Sequence, residues 1–475
     1  MSTVIKNGTL ITAADTFAAD ILIEGEKIAQ VGANLNAPDA EVIDAGGKLV
    51  MPGAIDVHTH MELPFGGTVS SDDFCTGQKA GAFGGTTTHI DFVIQGKGET
   101  LHQAIENWHR KADHKAVGDF GFHVAITDLP DSVMDEIPSI VDEGVTSLKL
   151  FMAYKGALMV DDTTLFRALT KAAEAGMLVM VHAENGDAID VLVKRALASR
   201  QTDPIYHALT RPAWAEGEAT MRAVALAGMA GAPLYVVHMT CRQAIDALAY
   251  GREHGLPVQG ETCTQYLFFT VDDLAKPGFE GAKWVCSPPM RTHADQEALW
   301  RALKDSTLQV VSTDHCPFFF NGTQPIDYDG RPVAIPGKEL GRGDFSKIPN
   351  GVPGIEDRQM ILWTYGVGRG HFSANRFVEL TCTNPAKIFG LYPRKGTLAD
   401  GADADIAVWD PGQKKTIRAR TQHQRTDYNL YEGWEVVGVP EKVLLRGRLI
   451  VDGDRWLGRE GSGQFIPRQP NAPVL

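Results

Sequence analysis

Through the middle of the chain, short apolar runs alternate with longer stretches in which apolar residues recur every third or fourth position. The runs at 55–60, 87–94, 121–127, 146–153, 177–184, 233–240, 258–263 and 309–315 have the length of strands. Stretches such as 164–175 and 219–230 carry the helical period. Eight strands separated by helices predict an α/β fold with a parallel sheet closed as a (β/α)8 barrel, expected over residues 54–395. An open, doubly wound sheet is the alternative. It lacks the usual glycine-rich phosphate loop, since Gly96-Lys97-Gly98-Glu99 does not match a P-loop.

The two ends resemble each other. Val4 to Ile11 and Val443 to Ile450 both read as strand, tight turn, strand, with Asn7-Gly8 and Arg446-Gly447 at the turns. Residues 21–31 predict another hairpin and 405–409 a half-buried strand. These are either unrelated β-segments or one small β-domain built jointly from both ends, 1–53 with 396–475; we expect the second.

Composition narrows the class. The chain has 475 residues, 44% apolar and 22% charged, ordinary values for a globular protein of two or three domains. Such a chain buries a large core without disulfides or structural metals, so a bound metal would serve function. The net charge of −14, from 45 basic and 59 acidic residues, disfavours nucleic-acid or anionic-membrane partners. No apolar run reaches the ~18–20 residues that span a bilayer. The first residues show no secretory leader, and the six cysteines form no C-x-x-C pair. A cytoplasmic location is expected.

The chemistry gathers at strand ends. His58 and His60 are two apart, so on a strand they share a side. Later strands end in His182 with Glu184, in His238, and in Asp314 with His315. The C-terminal ends of barrel strands form the active face in this architecture. Four imidazoles and a carboxylate from this set already exceed the needs of one tetrahedral zinc with an open position, and suit two metals about 3.5–4 Å apart. Lys149 lies within an apolar strand, where a charge is costly. Either it pairs with an acid or snorkels to the barrel mouth, or its amine is carboxylated by carbon dioxide and bridges the metals.

These runs resemble the cyclic amidohydrolases, most closely the dihydropyrimidinase and D-hydantoinase branch, over residues 3–460. The matching motifs are Pro52 to His60, Gly84 to Thr88, Lys149 to Gly156, Val181 to Gly186, Ser312 to Phe318, Pro349-Asn350-Gly351 and Asp427 to Gly433. The resemblance implies a metal barrel with a β-sandwich formed by both termini, in a homotetramer. The tail at 461–475 would be an arm onto a neighbour.

It also implies roles. His58, His60, Lys149 and Asp314 would bind the more buried of two divalent ions, taken as zinc. Lys149, His182 and His238 would bind the more exposed one, with Lys149 as N6-carboxylysine. A hydroxide between the metals would attack the ring carbonyl. Asp314 would be general base and acid, and Tyr154 would stabilise the oxyanion. Ser287 and Asn350 would hold the amide edge largely through backbone groups, although each is also in a turn-like sequence. Asp56 and Glu184 would orient histidines. Leu63, Phe65, Phe151, Leu158 and Met159 would gate the ring substituent. Cys316 is read as packing or pocket wall. The histidines at 114, 123, 207, 254, 293 and 371 are read as surface or structural.

The implied reaction is hydrolytic opening of dihydropyrimidines or 5-substituted hydantoins to N-carbamoyl amino acids, as in pyrimidine catabolism. A dihydroorotase would place arginine where Glu62 stands, and a negative side chain there disfavours a carboxylated ring. Allantoinase activity is an alternative. A non-catalytic assembly protein on this fold is a remote one, because such relatives lack most of the ligands that this chain retains.

Overall fold

The computed structural model describes residues 2–470. Eight parallel strands follow one another around a barrel: β1 (Ala54–Thr59), β2 (Thr86–Ile94), β3 (Asp119–Ala125), β4 (Ser147–Phe151), β5 (Leu178–His182), β6 (Leu234–Val236), β7 (Val258–Cys263) and β8 (Val310–Ser312). The sheet closes just past the ends of β1 and β8. Thr59 bridges to His315, and His60 N–H donates to His315 C=O at 2.9 Å. Sequential neighbours and this closure exclude the open, doubly wound alternative.

Period-two alternation sorts the strand residues. On β5, Leu178 and Met180 fill the barrel interior, while Val179 and Val181 pack outward against the helices. On β4, Leu148 and Leu150 take the outward positions, which turns Lys149 inward. Ile388, Phe389 and Ile466 join the interior core from outside the strands.

Both termini build one nine-stranded sheet. Leu49–Pro52 is its hinge, pairing parallel to Ser2–Ile11 and antiparallel to Ile406–Thr416 before the chain enters β1. Ile5, Leu10 and Ile21 from the N-terminal part share an apolar core with Ile406, Val408 and Leu444 from the C-terminal part. A buried cluster ties the sheet to the barrel: Lys395 Nζ bonds Asp119 at 2.5 Å and Asp405 at 2.7 Å, and the Arg446 guanidinium reaches Asp119.

One expectation fails. Asn7-Gly8 is a bulge inside the continuous strand Ser2–Ile11, not a hairpin turn, because residues on both sides pair with the same partner strand, Thr16–Glu24. Asn7 takes φ 63° and donates its N–H to Asp20 at 3.0 Å. Arg446-Gly447 does turn a hairpin, with Leu445 opposite Arg448. The tail, as far as it is described, packs on its own barrel. Ile466 N–H donates to Phe120 C=O at 2.7 Å, and the buried Arg468 bonds Ser147 Oγ at 2.8 Å. Its apolar side chains find the barrel's own base. Residues 471–475 lie outside the described residues.

Candidate metal centre

At the C-terminal end of the barrel, backbone geometry re-aims several side chains. Val237 fills the interior, so simple alternation would turn His238 outward; instead the chain takes φ 40° there and the imidazole faces the cleft. Asp314 (φ 52°) and Tyr154 (φ 66°) also occupy the left-handed region. Such backbone costs of order 1–3 kcal/mol per non-glycine residue and is characteristic of functional sites.

The ligand atoms form two groups. Asp314 Oδ1 lies 3.1 Å from both His58 Nε2 and His60 Nε2. His182 Nδ1 lies 2.9 Å from His238 Nε2. The groups adjoin: ligand atoms of His58, His238 and Asp314 all fall within 4.8 Å of one another. Carboxylates set the tautomers. His58 Nδ1 pairs with Glu261, and His182 Nε2 with Glu184 at 2.7 Å. With those protons on the carboxylate side, His58 Nε2 and His182 Nδ1 present lone pairs to the cleft. His238 Nε2 adjoins the His182 Nδ1 lone pair, and the buried Nδ1 atoms of His60 and His238 have no hydrogen-bond partner among the described residues, so the donor set fits a metal site.

The electrostatics agree. Burial pushes His60, His182 and His238 below the ordinary imidazole value, favouring neutral ligands. Burial would raise Asp314, but His58 and His60 hold it well below the usual carboxylate range. His58 is the exception. Burial lowers it, but Asp314 and Glu261 carry it up to about 9. The carboxylates that would retain a proton on His58 Nε2 would equally attract a dication in its place.

Lys149 is 1% exposed, and its Nζ has no hydrogen bond or ion pair among the described residues. It sits 5.2 and 5.1 Å from the ring centres of Phe92 and Phe151. Burial lowers its pKa to about 7, with Asp314 and Glu261 opposing. The salt-bridge alternative for this residue therefore has no partner here.

One open cleft collects these groups. Its lining includes His58, His60, Lys149, His182, His238 and Asp314, with Tyr154, Ser287 and Asn350 beside them. Leu63, Phe65, Phe151 and Leu158 form the apolar side, and Cys316 is wall. Burial pushes the Tyr154 phenol up, against hydrogen bonding with Ser287 and Asn350, so it remains a donor. Asn350 Nδ2 donates to Ser287 Oγ at 3.2 Å. The buried His207, read as structural, supports this wall through Cys286 C=O at 2.9 Å and Ser287 Oγ at 3.2 Å.

Three expectations change. Asp56 orients no imidazole. Its carboxylate bonds Thr313 Oγ1 at 2.6 Å and the His58 and Thr313 backbone N–H groups, which ties β1 to the chain after β8. Glu62 is outside the cleft lining and pairs with Lys115 at 2.9 Å, so its charge does not discriminate against a carboxylated ring. Met159 lies against Gly186 and is not among the residues that line the cleft. Sequence reasoning also missed Glu261. The signal was a lone acid in the strand Val258–Cys263, paired with His58 on a distant strand and held by Tyr235 Oη at 3.0 Å.

Residues 49–450 match the amidohydrolase family. The chain is 53% identical to a D-hydantoinase of Geobacillus stearothermophilus, over 98% of this chain and 97% of that protein. It is 40% identical to a dihydropyrimidinase of Rattus norvegicus, over 99% of this chain and 89% of that one. A solved dihydropyrimidinase from Brevibacillus agri superposes with a TM-score of 0.96 at 53% identity, covering 99% of this chain and all of the other.

Proposed function

We propose, from the premise that this chain belongs to the amidohydrolase family, that it hydrolytically opens cyclic amides and imides, namely 5,6-dihydropyrimidines, 5-substituted hydantoins or both. The observation that carries this is the convergence of four imidazoles, Asp314 and an unpaired buried lysine opposite Tyr154, Ser287 and Asn350 in one cleft.

His58, His60 and Asp314 would hold one divalent ion, and His182 and His238 a second. Lys149, as a carbon-dioxide-derived carbamate, would be shared between them. Zinc fits this set, though imidazole and carboxylate ligands also accept manganese or cobalt. Bound ions of this kind lower the pKa of water towards ~7 and polarise carbonyls. The chain's own groups do the rest. Asp314 accepts the proton of the attacking water and returns it to the leaving ring nitrogen. Tyr154 donates its phenol to the carbonyl oxygen as charge develops there. Ser287 and Asn350 hold the amide edge, and Leu63, Phe65, Phe151 and Leu158 meet the ring substituent. The ring C–N bond breaks, the carbonyl carbon becomes a carboxylate, and an N-carbamoyl amino acid leaves.

The proposal includes a homotetramer. Leu209, Trp214 and Met221 expose apolar surface on two successive helices, Trp214 being 73% exposed, which suits contact with another copy. Sedimentation tests it. Among the described residues no helix is long and apolar enough to cross a membrane, compatible with a cytoplasmic enzyme.

A panel of dihydrouracil, dihydrothymine, aryl and alkyl hydantoins and allantoin tests the activity. Ring opening of the first two classes is expected. Hydrolysis of allantoin alone, or of none, overturns the proposal.

A further inference from the structure

After β8 the chain makes a long excursion before returning at Pro349, and on the way it buries a lysine. Lys338 is 0% exposed and has no carboxylate partner among the described residues. Its Nζ donates instead to three backbone carbonyls: Val285 at 2.7 Å, Pro349 at 2.8 Å and Gly351 at 2.7 Å. An ammonium has three donors and no acceptor, so every donor is used. A neutral amine has two and would leave one carbonyl bare. Burial lowers the Lys338 pKa to about 7, yet three facing acceptors favour the protonated form. A desolvated charge is a costly way to fill space, and an apolar side chain would pack there without that cost.

The carbonyls it gathers belong to the two segments that present Ser287 and Asn350. Val285 C=O also accepts Gly351 N–H at 3.1 Å, so it is shared between the lysine and the opposite segment. Lys338 itself stands behind this wall, outside the cleft lining. Pro349 C=O is in the same peptide unit as Asn350 N–H. A cation on that oxygen draws density along the amide and strengthens the N–H as a donor.

We propose that Lys338 is a positioning residue for substrate recognition: its three-carbonyl clasp sets the spacing of segments 285–287 and 349–351, so that Ser287 and Asn350 engage the ring amide edge together. This rests on the ring-opening function proposed above.

The test is Lys338→Met, which keeps length and removes the donors, assayed per metal-loaded, folded site. Metal content should match wild type. KM should rise by ~10–100-fold with kcat changed far less, since losing one or two hydrogen bonds to the bound ring edge costs about that factor in affinity. The factor should be the same for aryl and alkyl hydantoins, because the wall meets the ring edge they share. A merely structural lysine would lower the unfolding temperature and leave KM per site at the wild-type value, which overturns the clasp. Should the methionine variant not fold, Lys338→Gln, with two donors for three carbonyls, takes its place with the same expected direction and the same refutation. Wild-type protein inactive on every cyclic amide would instead sink the ring-opening function itself.

Discussion

His182 Nδ1 and His238 Nε2 face each other at 2.9 Å, with the opposite nitrogen of His182 committed to Glu184. Two neutral imidazoles so placed, beside the group of His58, His60 and Asp314, offer ligands for a second cation. Elemental analysis should therefore give close to two divalent ions per chain. Chelation should abolish hydrolysis while circular dichroism shows the barrel retained, since the core is large enough without metal. Full activity at one ion per chain would refute the binuclear account.

Glu261, on β7, pairs with His58 Nδ1 on β1, six strands earlier in the chain, and Tyr235 holds its second oxygen. Glu261→Gln should weaken metal binding by ~10–100-fold, the usual cost of losing a carboxylate behind a metal-bound imidazole. Tyr235→Phe should cost less, because Glu261 remains. Competition with a chromogenic chelator measures both; unchanged affinity in Glu261→Gln would remove the orienting role.

Asp314 is held ionised far below the usual carboxylate range by His58 and His60 after burial has acted the other way. Asp314→Asn removes a proton acceptor and a ligand charge. Turnover should fall beyond the ~10²–10⁴-fold of acid–base catalysis alone. Near-normal turnover in metal-replete Asp314→Asn protein would eliminate it as the base.

Leu63, Phe65 and Leu158 line the apolar side of the cleft, and Phe65 packs edge-on to Tyr154 at 5.5 Å. Cutting any of them to alanine should shift preference towards bulkier ring substituents by ~1–3 kcal/mol, the scale of one pocket contact. The ranking of alkyl against aryl hydantoins reads this directly. An unchanged ranking in all three variants means that these side chains only pack.

What was legible in the sequence follows from locality. His58, His60, Lys149 and His182 could be placed on the barrel's inner end because strand alternation depends only on neighbours along the chain. His238 and Asp314 were placed by their strand-end position, although alternation alone would not aim His238; its positive φ does that. Glu261 was missed because its meaning lies in a residue 203 positions away. Asp56 and Glu62 were misassigned for a related reason: nearness in sequence to a ligand does not say which way a carboxylate points, and Thr313 and Lys115 hold them elsewhere. Lys338 carried no local signal, since its partners are backbone carbonyls on two separate segments. The Asn7-Gly8 bulge has a hairpin's sequence but pairs with a single strand on both sides.

The central claim meets its most direct test at Lys149. Its amine is buried, without an ionic partner, and lowered to about 7. The neutral form that reacts with carbon dioxide therefore prevails as pH rises above about 7, and is lost to protonation below it. Reactivation of chelated enzyme by metal and bicarbonate should follow the same direction, and Lys149→Arg should stay inactive because a guanidinium cannot be carboxylated. The decisive measurement is the electron density at Lys149 Nζ in active, metal-loaded crystals. The account predicts a planar carboxylate on Nζ, one oxygen towards each metal position; a bare amine there would contradict it.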